Sequence, residues 1–275
     1  MFKIYDLNMK EITLPKGVMP LEIFVGSVAK NRVTEAVDGR SGVVDYGFNY
    51  TDRPVSLFLR IKAADKIDFR LLRNEVFATF DVGNAFYVAE SDVPSRVLKV
   101  VVDESYIPDR LTEEYADFDI NCRTLDSVFW ETKYTTLELH DSGYSATAEK
   151  YGLVDNIDDE KVQYRFTESN FTVYNAGNVT VEPESMELEI LIKDVVITDK
   201  MTIRNYRTGE NHIYNFSTVN PSEYKIKGMM VLRSSVNVFR STNKRFISLK
   251  PGGNNIEITG ATFSEVIFNF KYLYK

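Results

Sequence analysis

The side chains that most often carry catalysis or bind metals are scarce in this sequence. It contains two histidines, His140 and His212, and a single cysteine, Cys122. A Ser-His-Asp triad or a zinc site would have to be built around one of these histidines, and no H-x-x-x-H or C-x-x-C pair is present. We therefore expect surface or core roles for both histidines, a buried position for Cys122, and no metal site.

Carboxylates, by contrast, are plentiful, with 40 Asp and Glu residues. Two of them could form the acid and base of a glycoside hydrolase, but spacing along the chain does not predict the separation in space that such a pair requires. The acidic run at residues 155–160 lacks the spacing of a calcium loop and is typical of a solvated linker. The Gly252-Gly253 step lacks the lysine and the strand-to-helix context of a phosphate-binding loop. The sequence thus predicts no catalytic residue and no cofactor.

The net charge of −7 argues against a nucleic-acid-binding protein. Such a protein needs clustered Lys and Arg to displace counterions from phosphates, so we predict no specific nucleic-acid binding. No stretch approaches the ~20 apolar residues that span a membrane, and the first residues resemble neither a secretory signal nor an anchor. A single cysteine agrees with folding in a reducing cytosol.

Strands dominate the predicted elements, since the 18 Phe and 16 Tyr fit pleated, half-buried surfaces. In the first part of the chain, alternation of apolar and polar residues predicts strands at 21–25, 43–50, 55–62, 85–89, 97–103 and 116–122. One helix is predicted at about 65–80, with Asp65 as its N-cap. Its apolar stripe consists of Phe69, Leu72, Val76, Phe77 and Phe80, and should lie on a sheet.

The second half reads as short strands separated by turn signals, which is typical of an antiparallel β-sandwich. A chain of 275 residues favours two domains. We expect an α+β domain at 1–150 and a sandwich at 151–275, with the junction somewhere within 126–163. A return of the last strand to the first domain is left open. The fold class is therefore mainly β.

The order of several segments resembles a known family. In the first domain these segments are 39–47, Tyr50, 53–57, 69–77, 86–90 and 96–100. In the second they are 173–178, 207–210, 242–243 with 246–249, 251–260 and 268–274, of which 251–260 is the most specific. The chain resembles the distal tail proteins of long-tailed, non-contractile phages that infect Gram-positive bacteria.

This resemblance implies a structural virion protein at the tail tip, assembled in the host cytoplasm. It implies a homo-hexameric ring of β-sandwich-like N-terminal domains, each with one helix, and outward galectin-like sandwiches. The implied partners are the major tail tube protein, the tape-measure protein, a tail-associated lysin or fibre protein, and receptor-binding or accessory baseplate proteins. DNA would pass through the ring without being bound specifically.

A segment rich in glycine is our candidate for the subunit interface, because glycine permits close backbone approach. An ordinary turn and strand is the alternative. The candidate interface residues are Gly39, Arg40, Gly42, Asp45, Gly47 and Tyr50.

Two other functions stay open at this point. A carbohydrate-binding β-sandwich for host-wall adhesion is the first, although the second half lacks the tryptophan that galectin sugar sites use. A polysaccharide-degrading enzyme is the second, although no acid, base or metal constellation is identifiable.

Overall fold

A computed structural model of the chain describes residues 1–81, 83–151 and 157–275. The chain forms two compact units. Unit 1 comprises Met1–Trp130 together with Lys275, and unit 2 comprises Glu131–Tyr274. The division falls at 130/131, whereas the sequence analysis placed the boundary at 150/151 with the junction within 126–163, and the expected domains stay a prediction. Of the acidic run predicted as a linker, residues 155 and 156 lie outside the described residues.

The strands of unit 1 form one antiparallel sheet in the order β1-β6-β7-β9-β5-β2, beside a separate hairpin of β3 and β4. Their bounds are β1 Phe2–Tyr5, β2 Val18–Val25, β3 Lys30–Ala36, β4 Val43–Tyr50, β5 Pro54–Lys62, β6 Phe86–Glu90, β7 Arg96–Val102, β8 Asp109–Arg110 and β9 Tyr115–Thr124. A further strand, β10 (Trp130–Thr132), crosses the division between the units.

The long central strands of this sheet alternate as the sequence predicts. In β5, Val55, Leu57, Leu59 and Ile61 are buried while the residues between them face outward. Cys122 on β9 is buried as expected, and burial raises the pKa of its thiol to about 12. Cys122 is therefore a core residue.

Helix α1 (Lys66–Thr79) begins where the sequence predicts. The carboxylate of Asp65 accepts the N–H groups of Ile67 and Asp68, both at 2.8 Å, which satisfies two donors of the first turn. The predicted apolar stripe is buried except at Phe77, which is 40% exposed. Phe77 lies at the rim of the stripe, where its ring packs against Tyr106 with centroids 5.5 Å apart.

Unit 2 contains helix α2 (Thr136–Tyr151), interrupted at Gly143, and a set of antiparallel strands. Their bounds are β11 Arg165–Phe166, β12 Asn170–Asn175, β13 Leu188–Asn205, β14 Glu210–Tyr214, β15 Thr218–Lys227, β16 Met230–Arg233, β17 Val236–Asn237, β18 Gly252–Thr262, β19 Glu265–Phe270 and β20 Leu273–Tyr274. The mainly β fold class is confirmed.

The 18-residue strand β13 organises unit 2 because it belongs to two layers. Its first half pairs with β15 and β19, and its second half with β14 and β18. Irregular pairing between Ile192 and Thr202 marks the bend. The layers meet through aromatic rings, since Phe171 of β12 contacts Phe268 of β19 edge-to-face at 5.8 Å. Unit 2 therefore has the two packed layers of antiparallel strands that its short strands and turn signals predict.

Candidate assembly surface

The hairpin formed by β3 and β4, together with its turn, is the most exposed ordered segment of unit 1. We call residues 30–50 the arm. Within the described part of the chain its strands pair only with each other, and every residue of β3 is exposed. An isolated two-stranded hairpin is at best marginally stable in water, so an arm of this length is expected to be covered by something in its working state.

Large apolar side chains lie along this arm, where a solvated hairpin would carry polar ones. The exposed members are Val33, Val37, Val43, Tyr46, Phe48 and Tyr50, of which Val43 and Tyr46 are more than 60% exposed. Exposed apolar side chains gathered on one element mark an interaction surface.

Polar contacts within the arm hold its shape. Arg32 pairs with Asp45 across the strands, with Nη1 2.5 Å from Oδ2. The other oxygen of Asp45 accepts the N–H of Gly47 at 2.9 Å, next to the irregular pairing between Arg32 and Thr34. The Gly47 amide and, less strongly, the Arg32 guanidinium hold the pKa of Asp45 below its usual value. Tyr46 donates its hydroxyl to Glu35 at 3.0 Å.

At its base the arm is fixed to the rest of unit 1. The Tyr50 ring contacts Phe129 edge-to-face with centroids 5.0 Å apart, and Thr51 N–H donates to Ala29 O at 3.1 Å. The ammonium group of Lys30 lies 3.9 Å from the centroid of the Phe48 ring. The base is therefore ordered while the rest of the arm is open to solvent.

All six candidate interface residues lie in the arm: Gly39, Arg40, Gly42, Asp45, Gly47 and Tyr50. The physical role of the glycines differs from the one we expected, because a Cβ at Gly39, Gly42 or Gly47 would meet no described atom of the chain within 4 Å. Each adopts a positive φ, of 82°, 87° and 104°, as the turn and the irregular pairing require. Whether a neighbouring subunit lies against them stays a prediction.

Sequence reasoning missed half of this surface. Strand β3, with the sequence KNRVTEA, is polar and fully exposed, so it lacks the alternation that marks a half-buried strand. Val33 and Val37, which belong to the exposed apolar set, were missed with it. The β-branched pair Val33-Thr34 was the available signal.

The histidines take structural positions. His212 is fully buried, with Nδ1 2.7 Å from Arg245 O and Nε2 2.6 Å from the Tyr224 hydroxyl, and burial lowers its pKa. His140 contacts Val162 O through Nδ1 at 3.3 Å. In the part of the chain that the structure describes, no three His, Cys, Asp or Glu residues are grouped to hold a metal ion. No helix among the described residues is long and apolar enough to cross a membrane.

A family model and several solved structures match this chain. Residues 7–122 match the family model described as phage tail protein RIFT-related domain. The crystal structure of SPP1 Dit (gp 19.1), described as a paradigm of the hub adsorption apparatus in phages infecting Gram-positive bacteria, superposes with a TM-score of 0.67. Its sequence is 11% identical, and the match covers 99% of this chain and 100% of that one.

Two structures of the phage p2 baseplate in its activated conformation, with Sr and with Ca, give TM-scores of 0.43. They are 9% and 10% identical, and each match covers 98% of this chain and 97% of the other. Among curated proteins, none matches this chain in sequence.

Residues 7–122 thus match the model of a phage tail protein RIFT-related domain, and the chain as a whole has the fold seen in SPP1 Dit. The resemblance noted in the sequence is confirmed. The arm lies within the matched residues.

Proposed function

We propose that this chain is the distal tail hub of a phage virion, in which six copies close a ring through unit 1. The observation that carries the proposal is the arm, an exposed apolar hairpin inside a phage tail domain. In the proposed ring the arm of each copy packs on unit 1 of the next. Such a head-to-tail contact uses two different surfaces and closes when the rotation completes a circle.

The ring would join the tail tube to the tip. Its proposed partners are the major tail tube protein and tape-measure protein, a tail-associated lysin or fibre protein, and receptor-binding or accessory baseplate proteins. Six copies carry 6 × −7 = −42 formal charges. If acidic residues face the lumen, like charges would let DNA pass without sticking. In this proposal the protein is non-catalytic and is assembled in the host cytoplasm.

The carbohydrate-binding alternative has less support. A galectin-type sugar site needs an accessible histidine and a tryptophan, whereas His212 is buried against Tyr224 and Trp130 belongs to unit 1. A glycan array tests this alternative directly, and specific binding above background would revive it.

Removal of apolar surface from the arm tests the ring. The variant Val43→Ser with Tyr46→Ser replaces two of the most exposed apolar side chains of the hairpin with polar ones. We expect it to shift the protein from ring to monomer in sedimentation velocity, because the lost apolar area stabilises the contact rather than the fold.

The matched control removes exposed apolar surface from unit 2 through Met229→Ser and Met230→Ser, which are 59% and 51% exposed. Equal effects of the two double variants, or none from the arm variant, would count against the arm as the subunit contact.

A further inference from the structure

Among its described residues, unit 2 has four sheet edges, and one of the four edges is protected by none of these residues. Edge strands β11 and β17 are two residues each. The outer side of β14 is covered, since Asn243 N–H donates to Ile213 O and Asn215 N–H to Ser241 O. Strand β12 is six residues long and, of the strands that the structure describes, pairs with β18 alone. Proteins normally shorten, cover or charge such edges.

The hydrogen-bond pattern shows which backbone groups of β12 are unpaired. Ile258 N–H donates to Ser169 O at 2.8 Å, so the alternate residues 171, 173 and 175 face β18. Residues 170, 172 and 174 therefore turn their N–H and C=O groups to the open side. The Tyr164 hydroxyl confirms this direction, because it donates to Tyr174 O from that side at 2.8 Å.

Most of these outward groups have no partner. Among the described residues, nothing bonds to the N–H groups of Asn170, Thr172 and Tyr174 or to the C=O groups of Asn170 and Thr172. These unpaired N–H and C=O groups belong to alternate residues of β12, as they do on the free side of an edge strand.

A groove of 520 Å³ runs beside this open edge. The stacked rings of Phe166 and Phe171, with centroids 4.2 Å apart, contribute its apolar wall. Lys161 in the lining is already paired with Asp158 and lies over the Tyr174 ring. Glu160 and Glu168 line the groove as exposed carboxylates, and neither forms an ion pair within 4 Å with a described residue. Lys161 attracts Glu160 but is already paired with Asp158, so these three carboxylates share one lysine and the groove is acidic.

We infer that β12 is a docking edge for an extended peptide segment of another protein, which adds a strand and places Lys or Arg side chains near Glu160 and Glu168. Main-chain hydrogen bonds give such strand addition its affinity, and the flanking groove gives its specificity. The assignment of that protein to the phage tail rests on the proposed hub function. The strand addition itself does not.

The test uses the full chain and a fluorescein-labelled heptapeptide of alternating Val and Lys, measured by fluorescence anisotropy. Thr172→Pro removes an outward N–H that plays no part in the pairing with β18, so unit 2 should still fold. We expect this variant to weaken peptide binding by about 10-fold or more. Thr172→Val, which keeps the N–H, should bind like the wild type.

Three further measurements keep the inference testable if the proline variant unfolds. The peptide should slow hydrogen exchange in residues 169–174 of the wild-type protein but leave the arm unchanged. The double variant Glu160→Lys with Glu168→Lys should weaken binding of the Val-Lys peptide. A peptide N-methylated at alternate residues should not bind, because it cannot pair with the edge.

Three results would overturn the inference: no binding by the wild type, equal binding of the N-methylated peptide, or binding unchanged in a folded Thr172→Pro protein. Competition by chitotetraose would instead indicate a sugar site. Concentration-dependent self-association lost in Thr172→Pro would indicate a second copy as the occupant. The mass of the proposed ring should be the same in Thr172→Pro and wild type, so failure of the ring and failure of the docking edge are distinguishable.

Discussion

At the scale of single residues, the side chains with the most reactive chemistry serve the cores. Cys122 is buried on β9, and His212 bridges Arg245 O and the Tyr224 hydroxyl inside unit 2. These hydrogen bonds offset part of the free-energy cost of burying the imidazole. They do so only while the ring is neutral, or if the proton that it gains finds an acceptor. His212 therefore links the stability of unit 2 to pH.

The sign of this linkage follows from the lowered pKa of His212. The folded state binds its proton less readily than the unfolded state, so stability falls as pH drops below the unfolded value, about 6.5. We expect urea unfolding of unit 2 to show this loss between about pH 7.5 and pH 5.5 in the wild type. His212→Gln should reduce this pH dependence. An unchanged slope in His212→Gln would refute the linkage.

Arg40 at the tip of the arm carries a second prediction at this scale. It is exposed, and only its backbone N–H bonds within the arm, to Val37 O at 3.1 Å. Arg40→Glu should weaken the ring without changing the thermal unfolding temperature, because the charge reversal acts only on a neighbour. Arg240→Glu in unit 2, also exposed, is the charge-matched control. A hexamer of undiminished stability in light scattering would remove Arg40 from the interface.

At the scale of elements, sequence reasoning succeeded where one face of an element is buried. Helix α1 and strands β5 and β9 follow their apolar periodicity, and the Asp65 cap is where the residue types place it. Sequence reasoning failed where the burial of residues produces no regular apolar pattern along the chain. The polar strand β3 was not predicted, and the short strands expected throughout the second half do not include the continuous 18-residue strand β13. The bend of β13 contains Asp194, Asp199 and Lys200, which look like a turn in sequence.

The contact between β13 and β18 depends on one glycine. A Cβ at Gly260, whose φ is 77°, would lie 1.9 Å from the carbonyl oxygen of Lys200. Gly260→Ala should therefore cost several kcal/mol of unfolding free energy or prevent folding of unit 2, because backbone must move to relieve the overlap.

Gly209 provides the matched control, with a φ of 76° and no described atom within 4 Å of the place that a Cβ would occupy. Gly209→Ala should cost only the conformational term, about 1 kcal/mol. Similar unfolding midpoints for the two variants in urea would contradict this explanation of the β13–β18 crossing.

At the scale of the whole molecule, the two units offer different surfaces for assembly. Unit 1 carries the arm within the residues that match a phage tail protein model, and unit 2 carries the open edge of β12 beside the groove. The sequence indicated the resemblance to tail proteins and the part of the arm from Gly39 to Tyr50, because the segment order and the glycines are visible there. It could not indicate the open edge, since strand partners come from different parts of the chain and an absent partner leaves no signal.

Native mass spectrometry of the purified wild-type protein over a concentration series tests ring formation through the arm. We expect a closed species of six times 31.6 kDa that gives way to monomer in the arm variant Val43→Ser with Tyr46→Ser. A wild-type protein that stays monomeric at every concentration, or a hexamer that the arm variant leaves intact, would contradict the proposed hub.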